Sequence, residues 1–317
     1  MTQLLNALPG ALAQGLIWGV MAIGVYITYK VLDIADLTVD GSICTGAAVC
    51  TMLLLGGQSP WLALLCAVLA GVLAGAVTGL LHVGLGIPPI LAGILTQMVL
   101  WSVNLKLLGK ANQALPARTT PVLLSQMDVG GALPVLLGFC VVLVALLVLL
   151  GFCVVLVALL VLFFGTELGC ALRATGCNPV MSRAQGVNTG LMKVVGLALS
   201  NGVVALSGAL LCQYQGYTDV NMGRGAVVIG LAAVVIGQAV LGRRGGRMAV
   251  QLGGVILGAV IYYIVYQVII FAGFDTDLLK MFSAVVVAVF LGAPHVKAQL
   301  KAHSRSKKGD SGHAENE

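Results

Sequence analysis

The chain has 317 residues, of which 59% are hydrophobic and 9% charged, with a formal net charge of +6. Soluble domains carry about 25% charged residues, so composition excludes a soluble monomer and points to an integral membrane protein. The apolar runs reach twenty residues, which selects helices over a β-barrel, whose strands alternate over about ten.

No charged segment precedes the first apolar run and no small-residue cleavage site follows it. It is read as a retained helix rather than a cleaved signal peptide. Apolar segments then fall near 10–29, 34–56, 60–82, 86–108, 133–165, 193–214, 226–241, 252–272 and 277–294. The expected fold is an all-α polytopic transmembrane helix bundle with about nine spans. Residues 1–294 form the membrane domain, and the polar residues 295–317 form a disordered tail.

The basic residues gather at helix ends and in the tail, which is an orientation signal and not a nucleic-acid one. The tail, the GRRGGR turn at 242–247 and the segment 166–193 all fall on one side when spans are counted backwards. That side is read as cytoplasmic, with the C-terminus inside and the N-terminus outside. Lys30 agrees; Lys106, Lys110 and Arg118 form an outside cluster that runs against the rule. The acidic turn FAGFDTD at 271–277 lands outside.

The second span opens with LDIADLTVDGS. Carboxylates in hydrocarbon are costly and usually functional. Asp33, Asp36 and Asp40 stand at one end of the span, and two readings are open. Asp40 or Thr38 caps an interfacial helix starting near Gly41, or a late-starting helix lines a cavity. Asp36, Thr38, Asp40, Ser42, Gln97, Asn104 and Asn201 are the candidate path residues. Gln213, Gln215, Gln238 and Gln267 are further intramembrane polar positions. Gly15 and Gly19, Gly71, Gly75 and Gly79, and Gly254 and Gly258 recur every fourth residue, and are read as packing faces within the chain rather than a dedicated dimer interface.

The run 133–165 holds a near-exact repeat: GFCVVLVALLVLL at 138–150 and GFCVVLVALLVLF at 151–163. As one helix it is about 50 Å long, against about 30 Å of hydrocarbon. Thirteen residues turn a helix by about 220°, so the copies cannot show the same face. One overlong or tilted span is preferred over two, because only Gly151 separates the copies.

Next comes the longest polar interruption before the tail, TELGCALRATGCNPVMSRAQGVNTGLMK at 166–193. Glu167 lies at a span end. ALRATG reads as a short helix ended by Gly176. Asn178 caps a second, with Pro179 at its first position and Gly186 at its end. A solvated basic loop needs no capped helix between glycine breaks, so the segment is read as an ordered docking element.

The eight cysteines include no C-x-x-C pair. Six lie in apolar runs as small hydrophobes; Cys170 and Cys177 lie in the polar segment. His82, His295, His303 and His313 have no ligand spacing, so no metal or cofactor is expected. Nothing matches a nucleotide-binding loop, a nucleophile elbow or a zinc-protease pair, so the chain is not read as an enzyme. Tyr214, Tyr217, Tyr262, Tyr263 and Tyr266 are read first as interface anchors and second as part of a solute path. Asp219, Asn221 and Arg224 lie in an outside glycine-rich turn with a weak docking or gating signal.

Gly169, Arg173, Ala174, Gly176 and Asn178, then Gly186, Val187 and Asn188, followed by SNGVVALSGALL, form a pattern. It resembles the permeases of binding-protein-dependent ABC importers, in the branch of branched-chain amino acid and ribose permeases. DLTVDGS at 36–42 is similar to a segment of the sugar members. The likeness covers roughly 10–295, and within the branch it resembles a subgroup labelled tryptophan/tyrosine permeases. The resemblance implies a bacterial inner-membrane permease that dimerises, binds an ABC ATPase subunit on the cytoplasmic face and receives solute from an extracytoplasmic binding protein. It implies that Arg173, Gly176, Asn178, Arg183 and Gly186 form the ATPase-coupling element, with which Glu167 and Pro179 are counted. Besides these partners only membrane lipid is expected, and no nucleic acid. The alternative is an ion-coupled secondary transporter or channel using Asp36 and Asp40. Their place at a membrane face, and the lack of an inverted repeat, speak against it.

Overall fold

The computed structural model describes residues 2–115, 134–241 and 247–271, with Val285 and Ala288. The rest of the expected ninth span at 277–294, Arg118, residues 242–246 of the basic turn, residues 272–277 of the acidic turn and the tail at 295–317 lie outside the described residues.

The described chain is a helical bundle. Helix α1 (Thr2–Tyr26) continues into a π-helical turn at Ile27–Val31. Then follow α2 (Val39–Leu55), α3 (Pro60–Gly84), α4 (Pro89–Leu108), the short strand β1 (Asn112–Ala114) and α5 (Pro134–Gly165). The polar segment forms α6 (Glu167–Cys177) and α7 (Pro179–Ala184). After them come α8 (Thr189–Gln215), β2 (Tyr217–Asp219), α9 (Ala226–Leu241) and α10 (Met248–Phe271).

Among the described residues six helices are long and apolar enough to cross a bilayer. The other two apolar helices, α2 and α9, have 17 and 16 residues. At 1.5 Å per residue they reach only about 24–26 Å, short of a hydrocarbon core of about 30 Å. The second span therefore does not run from residue 34 as expected. Asp33 takes a left-handed conformation (φ 57°) after the π-helical turn, and the chain enters the bundle unwound before α2 starts at Val39.

Helix α8 is the centre of the bundle, and glycine decides what reaches it. A Cβ on Gly75 would collide with the Leu197 carbonyl and Ala198, and one on Gly79 would stand 2.8 Å from Val194 Cα. These glycines lay the backbone of α3 on α8. Gly46 and Gly208 do the same between α2 and α8. The Gly15/Gly19 pair lies on α10, and Gly258 on α9. All three expected stripes thus serve packing within the chain. Gly75→Leu is expected to force α3 off α8 and cost about 1–3 kcal/mol or more, read as a lower melting temperature in detergent.

Strands β1 and β2 pair antiparallel, with Gln113 opposite Thr218. This hairpin-like ladder joins the end of α4 to the end of α8. Helices α6 and α7 precede α8, whose 27 residues span about 40 Å, so the two features mark opposite faces. Gly176 of α6 packs on Val31 and Leu32, which puts the end of α1 on the α6–α7 face.

Helix α5 is continuous across the repeat, as the single-span reading expects. The copies show different faces. Leu149 is 1% exposed but its equivalent Leu162 is 69% exposed; Leu147 is 57% exposed and its equivalent Leu160 is 4% exposed. That inversion is the 220° rotation of thirteen residues. Deleting 138–150 carries Leu136 into the helical place of Leu149 and leaves a helix of about 28 Å, still near bilayer thickness. The deletion is expected to change stability by less than about 1.5 kcal/mol, as for a volume-conserving swap, checked by thermal melting.

Candidate functional site

The polar segment is built largely from local signals. Thr166 opens α6, its Oγ1 accepting from the Gly169 N–H at 3.4 Å, with Glu167 in the first turn where the helix dipole favours an acid. Leu172 is fully buried and Thr175 is buried, so α6 lies flat on the bundle. The Asn178 side-chain oxygen accepts from Val180 N–H at 3.1 Å and Met181 N–H at 3.0 Å, capping α7. Pro179 occupies the first turn, and Gly186 ends the segment at φ 84°.

One expectation here is corrected. Gly176 does not end a helix: α6 runs on to Cys177, and Gly176 is needed because any Cβ would strike the Val31 carbonyl. Both arginines make hydrogen bonds within the chain. Arg173 donates to the Phe164 carbonyl at 3.3 Å, and Arg183 Nε donates to Thr189 Oγ1 at 2.9 Å. What α7 does present is apolar: Val180 is 79% and Met181 60% exposed.

The candidate path residues separate into two groups. Asp36, Thr38, Ser42 and Asn201 form a buried polar chain. Asn201 Nδ2 donates to Asp36 Oδ2 at 2.8 Å, Ser42 Oγ donates to Asn201 Oδ1 at 2.6 Å, and Thr38 N–H donates to Asp36 Oδ1 at 2.9 Å. Thr38 Oγ1 pairs with Thr78 Oγ1 at 2.8 Å, and Thr78 donates to Thr96 Oγ1 at 2.9 Å. Thr78 and Thr96 escaped the sequence reading because a threonine in a membrane helix ordinarily bonds its own helix, as both also do to Ala74 and Ala92. Asp36 meets Asn201 near the midpoint of α8, so the expectation of carboxylates confined to a membrane face is corrected. Each Asp36 oxygen accepts one N–H hydrogen bond, Oδ1 from Thr38 and Oδ2 from Asn201.

The capping expectation also changes. Thr38 sits before α2 but makes no side-chain cap bond there. Asp40 caps α9 instead, its two oxygens accepting from Gly225 N–H and Val227 N–H at 3.0 Å each. Of the two open readings, the late-starting helix beside a cavity is the one found.

Asp40, Gln97 and Asn104 line a cavity of about 570 Å³ between α2, α4 and the turn before α9, together with Trp101, Ser102 and Arg224. Asn104 is 1% exposed, and neither its Oδ1 nor its Nδ2 has a hydrogen-bond partner. An unsatisfied buried polar group costs about 1–3 kcal/mol.

A second cavity, of about 590 Å³, lies between α1, α9 and α10 and shares Arg224. Trp18, Tyr262, Tyr263 and Tyr266 line it. Tyr262 and Tyr263 are 2% and 7% exposed, with ring centroids 5.6 Å apart, and Trp18 stands 5.9 Å from Tyr263. The Tyr262 and Tyr263 rings thus pack inside the bundle rather than standing as interface anchors, while Tyr266 is half-buried. Tyr214 is also buried, and Tyr217 is exposed. Among the other polar positions, Gln213 is buried and donates to Cys50 Sγ at 3.4 Å, while Gln238 is exposed.

Six apolar helices of bilayer length among the described residues, two shorter apolar helices, and a capped helix pair at one face define a multi-pass membrane protein. The chain belongs to the family described as branched-chain amino acid transport system permease components, whose model matches residues 8–293. It is 36% identical over 305 residues to a tyrosine transport system permease protein of Clostridioides difficile (strain R20291), covering 94% of each chain. It is 33% identical over 291 residues to an uncharacterized protein of Rickettsia prowazekii (strain Madrid E), covering 91% of this chain and 98% of the other. No solved structure matches. The chain is thus the permease component of an ABC-type transport system, a transporter and not a catalytic enzyme, and its family works with ATPase and binding-protein partners.

Proposed function

We propose that this chain imports aromatic amino acids, tyrosine first among them, as a homodimer in a bacterial inner membrane. The relative named for tyrosine transport supports the substrate, and 36% identity across 94% of both chains supports carrying it over. The α6–α7 face is cytoplasmic, as is the C-terminal tail at 295–317, and residues 1–294 form the permease domain. The coupling element comprises Glu167, Arg173, Gly176, Asn178, Pro179, Arg183 and Gly186. Asn178 and Gly186 shape α7, Arg173 and Arg183 brace it, and Gly176 seats α6 on the end of α1.

The observation that carries this reading is α7 itself, a capped helix with Val180 and Met181 exposed at the bundle's end. Apolar side chains on a face in water mark a protein contact. Motion of α7 reaches α1 through Gly176 and α8 through Leu172, so an ATPase that draws two such helices together biases the bundle between two packings. The buried chain from Ser42 to Thr96 closes the path in the present packing.

The test is reconstitution in liposomes with a candidate ATPase subunit and a candidate binding protein. Uptake of L-tyrosine is expected to need ATP and both partners. Uptake that persists without ATP but collapses with a proton or sodium gradient overturns the proposal.

A further inference from the structure

Asn104 lies in the last turns of α4, buried, with neither amide atom hydrogen-bonded, among the residues that line a cavity with Asp40, Gln97, Trp101, Ser102 and Arg224. Buried polar groups in proteins are nearly always satisfied, and an exception calls for a missing partner. The volume of about 570 Å³ falls within the roughly 300–1,000 Å³ typical of small-molecule sites. The ladder of β1 and β2 places this cavity in the half of the bundle where the proposed import path begins.

Resting on the amino-acid import reading, we propose that this cavity is a transit site for the ammonium and carboxylate groups of a free α-amino acid. Asn104 is its specificity-determining contact. A carboxamide offers one acceptor oxygen and two donor hydrogens, so it serves both halves of a zwitterion. Its Oδ1 accepts from the ammonium and its Nδ2 donates to the carboxylate. Arg224 supplies positive charge for the carboxylate and Asp40 negative charge for the ammonium. Asp40 is pinned by Gly225 and Val227 N–H, yet a carboxylate has about four lone-pair sites and keeps acceptor capacity. Ile94, Met98 and Trp101 give the cavity its apolar wall.

Other ligands fit the lining less well. A lone cation meets Arg224, and a lone anion meets Asp40. A sugar satisfies Asn104 and Gln97 but leaves both charges without a complement. A zwitterion answers all four groups.

The chain contains three tryptophans. Trp18→Phe with Trp61→Phe leaves Trp101, in the cavity wall, as the sole indole reporter. The full chain carrying these changes, in lipid nanodiscs, is titrated with L-tyrosine, tyramine and hydroxyphenylpropionate, the last two lacking the carboxylate and the ammonium respectively. L-tyrosine is expected to give a saturable change in Trp101 fluorescence, and each analogue to bind at least about tenfold more weakly, because a site built for a polar group rejects ligands without it. Asn104→Leu is expected to weaken L-tyrosine at least about tenfold while melting at or above the parent temperature, since it removes the unpaired amide. A merely structural Asn104 would lower the melting temperature instead.

Equal binding of all three ligands, or unchanged binding by Asn104→Leu, overturns the site. So does a silent Trp101 in a chain whose assembled importer still takes up L-tyrosine, which leaves the import reading standing. Saturable binding here without ATP-driven uptake does the reverse: the site stands and the import reading falls.

Discussion

Val180→Asp with Met181→Asp is expected to break coupling to the ATPase while leaving the permease folded. Both side chains are more than half exposed in the isolated chain, so they contribute little to its stability. The cap that forms α7 comes from Asn178 and survives the change. Burying two carboxylates in an apolar contact removes on the order of 2 kcal/mol or more from association, as for truncated hot spots. That is roughly thirtyfold in affinity. The measurement is titration of the ATPase subunit against the permease in nanodiscs, with melting temperature as the control. Unchanged affinity places the docking surface elsewhere. Arg173→Glu with Arg183→Glu is the poorer test, because both arginines also hold the segment together through Phe164 and Thr189.

Asn201→Leu is expected to destabilise the bundle by about 3 kcal/mol. Interhelical hydrogen bonds in a bilayer average only about 0.6 kcal/mol. This substitution does more than delete one, since it strips a donor from Asp36 and the acceptor from Ser42 together. Both groups are buried, and each orphaned group costs roughly 1–3 kcal/mol. Adding Ser42→Ala removes one orphan, so the double variant is expected to recover about 1 kcal/mol of the loss. Thermal melting in detergent reads both values. If Asn201→Leu melts with the parent protein, the polar chain does not hold the unwound segment before α2.

The element best read from sequence was the polar segment. Asn178, Pro179 and Gly186 act on neighbours within four residues, so their residue types carry the geometry. The rotation between the two GFC copies was equally legible, because it depends only on residues per turn, and Leu149 against Leu162 bears it out. Gly176 was misread because a glycine that stops a helix and one that admits a neighbouring backbone look alike in a string of letters. Asp40 was misread for a related reason. Its type announces a cap, but the helix it caps begins 186 positions later, at Ala226. The tyrosines of α10 had the spacing and apolar surroundings of interface residues. Tyr263 is buried beside Trp18 on α1, which no local rule could bring to it.

Hydropathy, charge and short-range capping in the amino-acid string were therefore enough to establish a multi-spanning helical membrane protein. They also supplied its packing stripes and a short capped helix pair outside the spans. These follow from interactions reaching about one helical turn, or from the cost of placing each residue in hydrocarbon. Which polar residues meet was settled by packing. Asp36 and Asn201 bond across 165 positions because glycines let α2 and α3 lie against α8. Asn104 has no hydrogen-bond partner and lines a cavity between α2, α4 and the turn before α9. Long-range contacts of this kind depend on how helix faces fit together, and residue type alone does not encode that fit.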